Sequence, residues 1–158
     1  MKTDSKYDGL KLENQMCFPL YAASREVIKQ YKPYLDKLDL TYTQYIAMLL
    51  LWEHKTMTVK EMGERLYLDS GTLTPLLKKL EAKGFINRVR STTDERNLNI
   101  NLTAAGDKLK EQAVEIPQCI FHGTKMTEEE KKVFYNRIAD MLYIKNPLIV
   151  PQQSRPSR

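Results

Sequence analysis

The chain has 158 residues, 42% of them hydrophobic and 28% charged, with a formal net charge of +5. This is the balance of one globular domain with extensions and not of a disordered chain. The longest apolar run, Ile46 to Trp52, is far too short to cross a bilayer, and the polar segment from Met1 to Leu10 lacks the apolar stretch of a secretion signal. Cys17 and Cys119 lie too far apart to build a disulfide framework, so the expectation is a soluble, cytoplasmic protein with reduced thiols and no membrane partner. The charge excess permits a nucleic-acid partner without demanding one, which makes its distribution the informative quantity.

Met16, Leu20, Ala23, Val27 and Tyr31 step by three or four and predict an amphipathic helix over 12–31. Lys32-Pro33 is expected to end it, and Pro19 requires that the regular part start close by or bend there. Thr41 or Thr43 can cap a second helix through Trp52, whose apolar residues cover every face and predict a central, buried position. After the short segment Lys55-Thr56-Met57, Thr58 and Glu61 fit a capping box opening a helix to about Leu66. Tyr67-Leu68-Asp69 form a turn. The next helix carries Ser70, Thr72, Thr74 and Pro75 at its start, Leu73, Leu76, Leu77 and Leu80 as one stripe, and stops at Lys83-Gly84. Pro75 is expected within its first turn.

The period then changes to two. Phe85 to Arg90 and Leu98 to Leu102 read as the strands of a two-stranded hairpin joined by the polar loop 91–96. Thr103 opens a long helix through about Phe121, Thr127 and Glu130 form another capping box for a last helix to about Ile144, and the proline-containing segment 146–158 reads as a disordered tail.

A short helix, a tight turn, a longer helix and a β-hairpin compose a winged helix-turn-helix. Small hydroxyl residues at the start of the longer helix (Ser70, Thr72, Thr74) allow close approach to a major groove and to phosphates. Between positions 78 and 96, Lys78, Lys79, Lys83, Arg88, Arg90 and Arg96 oppose Glu81, Asp94 and Glu95, which places +3 of the chain's +5 in this segment. On an isolated helix such lysines would be a solvated face. With an arginine-bearing hairpin attached they make a double-stranded DNA surface, and an arginine at the wing tip suits a narrow minor groove.

Leu66 to Glu81, with Asp69-Ser70-Gly71-Thr72-Leu73-Thr74-Pro75 at its centre, followed by Asp94-Glu95-Arg96 and Leu102-Thr103, resembles MarR-family transcription regulators, more narrowly their organic-hydroperoxide-sensing branch. The resemblance covers roughly residues 10–143. It implies a mainly α fold with a β-hairpin wing and a repressor that is not an enzyme and uses no cofactor or metal. By the resemblance, Arg96 enters the minor groove with Asp94 holding it, and Ser70, Thr72, Thr74 and Lys78 lie on the reading helix. Lys79, Arg88 and Arg90 complete the expected DNA surface.

Such a fold reads a palindromic operator as an obligate homodimer. Two monomers, each with a radius of gyration of about 15 Å, can set their reading helices about 34 Å apart, one turn of DNA. The first and last helices carry apolar stripes, Met16, Leu20 and Val27 in one and Val133, Phe134, Ile138, Met141 and Leu142 in the other, that no other segment obviously covers. The expected division is therefore dimerisation helices over 10–40 and 104–145, flanking a DNA-binding lobe over 43–103.

Cys17 sits in the first helix with Tyr21 four residues on. Tyr31 is fourteen residues on, about 21 Å along a straight helix, so it can meet only a partner's Cys17, in a head-to-tail pairing. Tyr42 can do the same. Phenolic hydroxyls directed at sulfur favour the thiolate, the reactive form. The resemblance maps a peroxide-reactive cysteine onto Cys17, with Tyr31 and Tyr42 reaching in from the other subunit, Tyr21 nearby, and Cys119 a candidate resolving cysteine. Two rivals share this sequence. In one, a small aromatic or phenolic ligand, held among the tyrosines and Trp52, replaces peroxide as the signal. In the other, the chain is a thiol peroxidase, against which stands the lack of a proline-threonine-x-x-cysteine arrangement.

Overall fold

The computed structural model describes residues 6–90, 98–121 and 126–143. The expected tail over 146–158 and the wing-loop residues Asp94 and Arg96 lie outside these.

Two short 3-10 turns, Asp8–Leu10 and Leu12–Asn14, precede the first regular helix, α1 (Cys17–Leu35). The helix starts later than the apolar spacing suggested, and this resolves Pro19. It occupies the third helical position, where the backbone amide has no acceptor within the helix, so the missing donor costs nothing there. Pro33, expected to end the helix, lies inside it. The carbonyl it leaves without a donor belongs to exposed Lys29, within reach of water, while Tyr31 and Leu35 are pinned in the core on the opposite side. Packing outweighs the local penalty at this position.

Thr41 caps α2 (Tyr42–His54), its hydroxyl accepting from the Gln44 amide while the Gln44 side chain accepts from the Thr41 amide. As its composition predicted, α2 is central: Tyr45, Ala47, Met48, Leu51 and Trp52 are buried. Thr56–Thr58 form a strand, β1, and Thr58 also caps α3 (Val59–Leu66) through the expected box with Glu61. A turn with Tyr67 in the left-handed region leads to α4 (Ser70–Ala82). Gly84, at φ +74°, takes the left-handed backbone conformation that residues with a side chain rarely adopt, and lets the chain reverse after α4.

The hairpin strands are β2 (Ile86–Arg90) and β3 (Leu98–Leu102), but the sheet has three strands in the order β1-β3-β2, all antiparallel. Met57 pairs with Ile100, and Ile100 with Arg88. β1 is three residues long, too short to show alternation in the sequence. Its pairing roots the wing in the lobe.

The long helix expected from Thr103 to Phe121 is two helices, α5 (Ala104–Ala113) and α6 (Ile116–Phe121). Pro117 explains the break, because its ring would collide with the carbonyl of Ala113 and it has no amide to donate there. The last helix, α7 (Glu128–Tyr143), opens on the predicted box between Thr127 and Glu130.

The core is built where α1, α2, α3, α4, α5, α6 and the sheet meet. Leu35, Met48, Leu51, Met62, Leu73, Leu77, Leu80, Ile86 and Ile100 are all but sealed from solvent. Each such side chain contributes about 1.5–3 kcal/mol of burial free energy. This core fixes the angle of α4 and the root of the wing, the two elements expected to carry a nucleic-acid contact.

Candidate nucleic-acid interface and thiol site

The start of α4 is capped by Asp69, the last residue of the turn before it. Asp69 accepts from the Thr72 amide at 2.9 Å through one carboxylate oxygen and from the Thr72 hydroxyl at 2.9 Å through the other. These bonds hold its carboxyl below the usual carboxylate range. An aspartate directly before Ser-Gly-Thr was a readable N-cap signal. Ser70 and Thr72 are exposed on the first turn of α4, Thr74 is half-buried, and Lys78 and Lys79 stand exposed further along. Pro75 is the sixth helical residue and not within the first turn. The carbonyl it leaves without a donor belongs to exposed Gly71. Leu73, Leu76, Leu77 and Leu80 are buried as one stripe, so α4 presents its hydroxyls and lysines outward from a rigidly packed back. Ser70 and Thr74 also form one wall of a cleft of about 490 Å³ whose other walls include Val59, Leu68 and Leu98.

Arg88 has a different place from the one expected. The register puts it on the same face of the sheet as the buried Ile100. Glu81 of α4 takes its side chain, with Nε to Oε2 and Nη2 to Oε2 both 2.7 Å and the Arg88 amide donating to Oε1 at 3.0 Å. The guanidinium holds the Glu81 carboxyl below its ordinary range. Arg88 therefore clamps the wing onto the end of α4, and its charge is largely spent inside the lobe. Lys83 is likewise paired, with Asp39 at 2.9 Å. Arg90 is exposed at the end of β2. Among the described residues, Ser70, Thr72, Lys78, Lys79 and Arg90 are the outward-facing members of the predicted surface.

Cys17 is the first residue of α1 and is exposed, as is Cys119 on α6. Tyr21 is 56% exposed and its hydroxyl accepts from Arg25 Nη1 at 2.6 Å. Tyr31 and Tyr42 come together, their ring centroids 5.0 Å apart in an edge-on contact. The sequence did not show that Tyr45 joins them, 5.8 Å from Tyr31 and 6.2 Å from Trp52. Burial pushes all three phenols up, Tyr45 to about 12, with the neighbouring Tyr42 adding to the shift at Tyr31. At neutral pH these hydroxyls stay protonated and can donate hydrogen bonds. Because α1 is unbroken from Cys17 to Leu35, Cys17 lies about 21 Å from Tyr31 along the helix axis. Within one chain the thiol and the phenols do not meet.

Trp52 is 5% exposed and Tyr45 2%. Both are packing groups of the core and not the lining of an open ligand pocket. No group of three or more His, Cys, Asp or Glu side chains among the described residues is placed to hold a metal ion. No helix among them is long and apolar enough to cross a membrane.

The family model described as transcriptional regulator SarA/Rot matches residues 29–113, more than half of the chain. The organic hydroperoxide resistance transcriptional regulator of Bacillus subtilis is 57% identical over 88% of this chain and 95% of its own length. The HTH-type transcriptional regulator SarZ of Staphylococcus haemolyticus is 44% identical over 83% of this chain and 89% of its own. Among solved structures, reduced AbfR bound to DNA superposes with a TM-score of 0.75 at 35% identity, covering 89% of this chain and 99% of that one. The capped α3–α4 pair, the rooted wing and these likenesses agree: the chain belongs to the MarR/SarA family of winged helix-turn-helix, DNA-binding transcriptional regulators and is not an enzyme.

Proposed function

We propose that the protein is a cytoplasmic, homodimeric repressor that holds a palindromic operator while Cys17 is reduced and releases it when an organic hydroperoxide oxidises that sulfur. The observation that carries this reading is the pairing of Tyr31 with Tyr42 at one end of α1 and an exposed cysteine at the other. A head-to-tail pairing of two α1 helices brings each thiol to the partner's phenols, whose protonated hydroxyls stabilise the thiolate. Apolar side chains line the faces such a pairing would cover: Met16, Phe18, Val27 and Ile28 on or beside α1, and Val133, Phe134, Met141 and Leu142 on α7, are all exposed in the single chain. The dimerising parts are then 10–40 and 104–145, around the lobe over 43–103.

The chemistry follows from the groups present. The Cys17 thiolate attacks one peroxide oxygen; the S–O bond forms as the O–O bond breaks, and the alkoxide leaves as alcohol after taking a proton. Sulfur gives up two electrons, and the product is a sulfenic acid. A second thiol then displaces water to form a disulfide. α6, which bears Cys119, packs against α1, and its Ile116 and Ile120 share the core with Tyr31 and Leu35. Either the partner's Cys119 or a small cellular thiol can serve. A dimer band on non-reducing electrophoresis after peroxide identifies the first and its absence the second.

The Bacillus subtilis relative's association with organic hydroperoxide resistance supports this reading. AbfR, solved reduced on DNA, overoxidised on DNA and with a disulfide formed, supports a role for cysteine oxidation. On DNA, Ser70, Thr72, Thr74, Lys78 and Lys79 face the major groove, and the wing, with Arg90 and the Asp94–Arg96 pair, faces the minor groove. The test is Cys17→Ser: it keeps operator affinity and loses the response to cumene hydroperoxide. Release of that variant by peroxide overturns the reading.

A further inference from the structure

An unbroken run of contacts leads from the phenol pair to the root of the wing. Tyr31 meets Tyr42 and Tyr45, and Tyr45 meets the edge of Trp52. The Trp52 indole donates its one N–H to the carbonyl of Gly106 at 2.8 Å, a buried bond linking α2 to the first turn of α5. That turn is seated on the wing root. A Cβ built on Gly106 would lie 2.1 Å from the carbonyl oxygen of Phe85, so only glycine permits the approach. Beside it, the Thr103 hydroxyl accepts from the Gly106 amide at 3.0 Å and donates to the Gly84 carbonyl at 2.7 Å, and the Thr103 amide donates to the Phe85 carbonyl at 3.1 Å. Gly84 and Phe85 join α4 to β2.

We propose that Trp52 is the positioning residue through which the state of the Tyr31–Tyr42 pair sets the placement of the wing and the end of the reading helix. This rests on the peroxide-sensing reading above. When the partner's Cys17 is a thiolate, the two phenols are held, Tyr45 and Trp52 keep their edge-on packing, and the indole bond fixes α5 against the wing root. When that sulfur is oxidised and leaves the phenols, the aromatic group repacks, and Trp52 carries the shift to Gly106. Here two links are stereospecific, one N–H on one buried carbonyl and one glycine on one backbone oxygen, so the path can be cut at a single atom.

Two measurements test it. Trp52 is the one tryptophan of the chain, so its emission reports this joint in the unmodified protein. Emission should shift in proportion to Cys17 oxidation, followed by sulfenic-acid trapping and mass, and should not shift in Cys17→Ser. Trp52→Phe keeps an aromatic ring and deletes the N–H. It should bind operator within about threefold of wild type when reduced and oxidise Cys17 at the same rate, yet lose at least fivefold of the affinity drop that oxidation causes. An unchanged emission on full oxidation, or release by Trp52→Phe as complete as wild type, overturns the role of Trp52 and leaves peroxide sensing intact. If oxidation of wild-type Cys17 leaves operator affinity unchanged, the sensing reading and this inference fall together.

Discussion

The body formed by α2–α4 and the sheet, and the outer helices α1 and α7, treat their apolar residues in opposite ways. In that body, Met48, Leu51, Met62, Leu73, Leu80, Ile86 and Ile100 are sealed within one chain, α2, α3 and α4 each begin on a side-chain cap, and the charges of Glu81 and Arg88 are matched internally. Just before α1, along it up to Tyr31, and in α7, apolar side chains face outward, Met16 at 74% and Val133 at 60% exposure. A region that satisfies itself is a rigid platform for presenting α4 and the wing. A region that does not satisfy itself implies a second surface to cover it. On the proposed reading, this difference separates what reads DNA from what sets the spacing of the readers.

Substitutions can break this contrast from either side. Leu80→Ala removes a fully buried side chain between α4 and the rest of the core and should cost about 2–5 kcal/mol, read as a lowered midpoint in urea unfolding. The matching change in the flanking region, Phe134→Asp, should leave the secondary structure of the lobe intact while sedimentation shows the dimer lost and operator affinity falling with it. An intact dimer in Phe134→Asp would remove α7 from the interface.

Gly106→Ala should cost about 1–3 kcal/mol through overpacking against Phe85, despite alanine's better helix propensity, with the wing's amides exchanging faster than those of α2. Smaller again is Thr41→Ala, which deletes one cap and should lower stability by about 1 kcal/mol. The pH dependence sharpens the picture of the lobe. Glu61, held by the Thr58 amide, Asp69, held by the Thr72 amide, and Glu81, held by Arg88, all have folded-state values below the ordinary range. Their stabilisation is complete above the unfolded carboxylate values of about 4 and is lost as pH falls through the lower folded values. Melting temperature should therefore fall on acidification below that point, and Glu81→Gln should start lower at pH 7 and fall less steeply.

On DNA, Lys78→Ala should weaken binding to all sequences alike and reduce the salt slope by about 0.9, the share of one phosphate contact. An unchanged slope would take Lys78 off the backbone.

The platform was legible in the sequence because its signals are local. Thr58 with Glu61, Thr127 with Glu130, the leucine stripe of α4 and the alternation in β2 and β3 each lie within a few residues, and each appears where expected. What escaped depends on contacts distant in sequence or on context that overrides local preference. β1 exists because Met57 meets Ile100, forty-three positions away. Pro33 continues a helix because Tyr31 and Leu35 are buried around it. The pairing of Arg88 with Glu81 depends on the sheet register, which the sequence does not display. Around Cys17, spacing alone excluded an intrachain Cys17–Tyr31 contact, while the grouping of Cys17 with Tyr31 and Tyr42 came from the family resemblance. The meeting of Tyr31, Tyr42, Tyr45 and Trp52 was not readable, because it needs α1 folded back across α2.

The central claim is that each thiol is served by the other chain's phenols. Heterodimers test it directly, with Cys17 oxidation by cumene hydroperoxide followed by mass. One carries Cys17→Ser on one chain and Tyr31→Phe with Tyr42→Phe on the other; the second carries all three substitutions on one chain beside a wild-type chain. The cysteine of the first heterodimer is expected to react fast and that of the second slowly. A slow first and a fast second would place thiol and phenols in the same chain and contradict it.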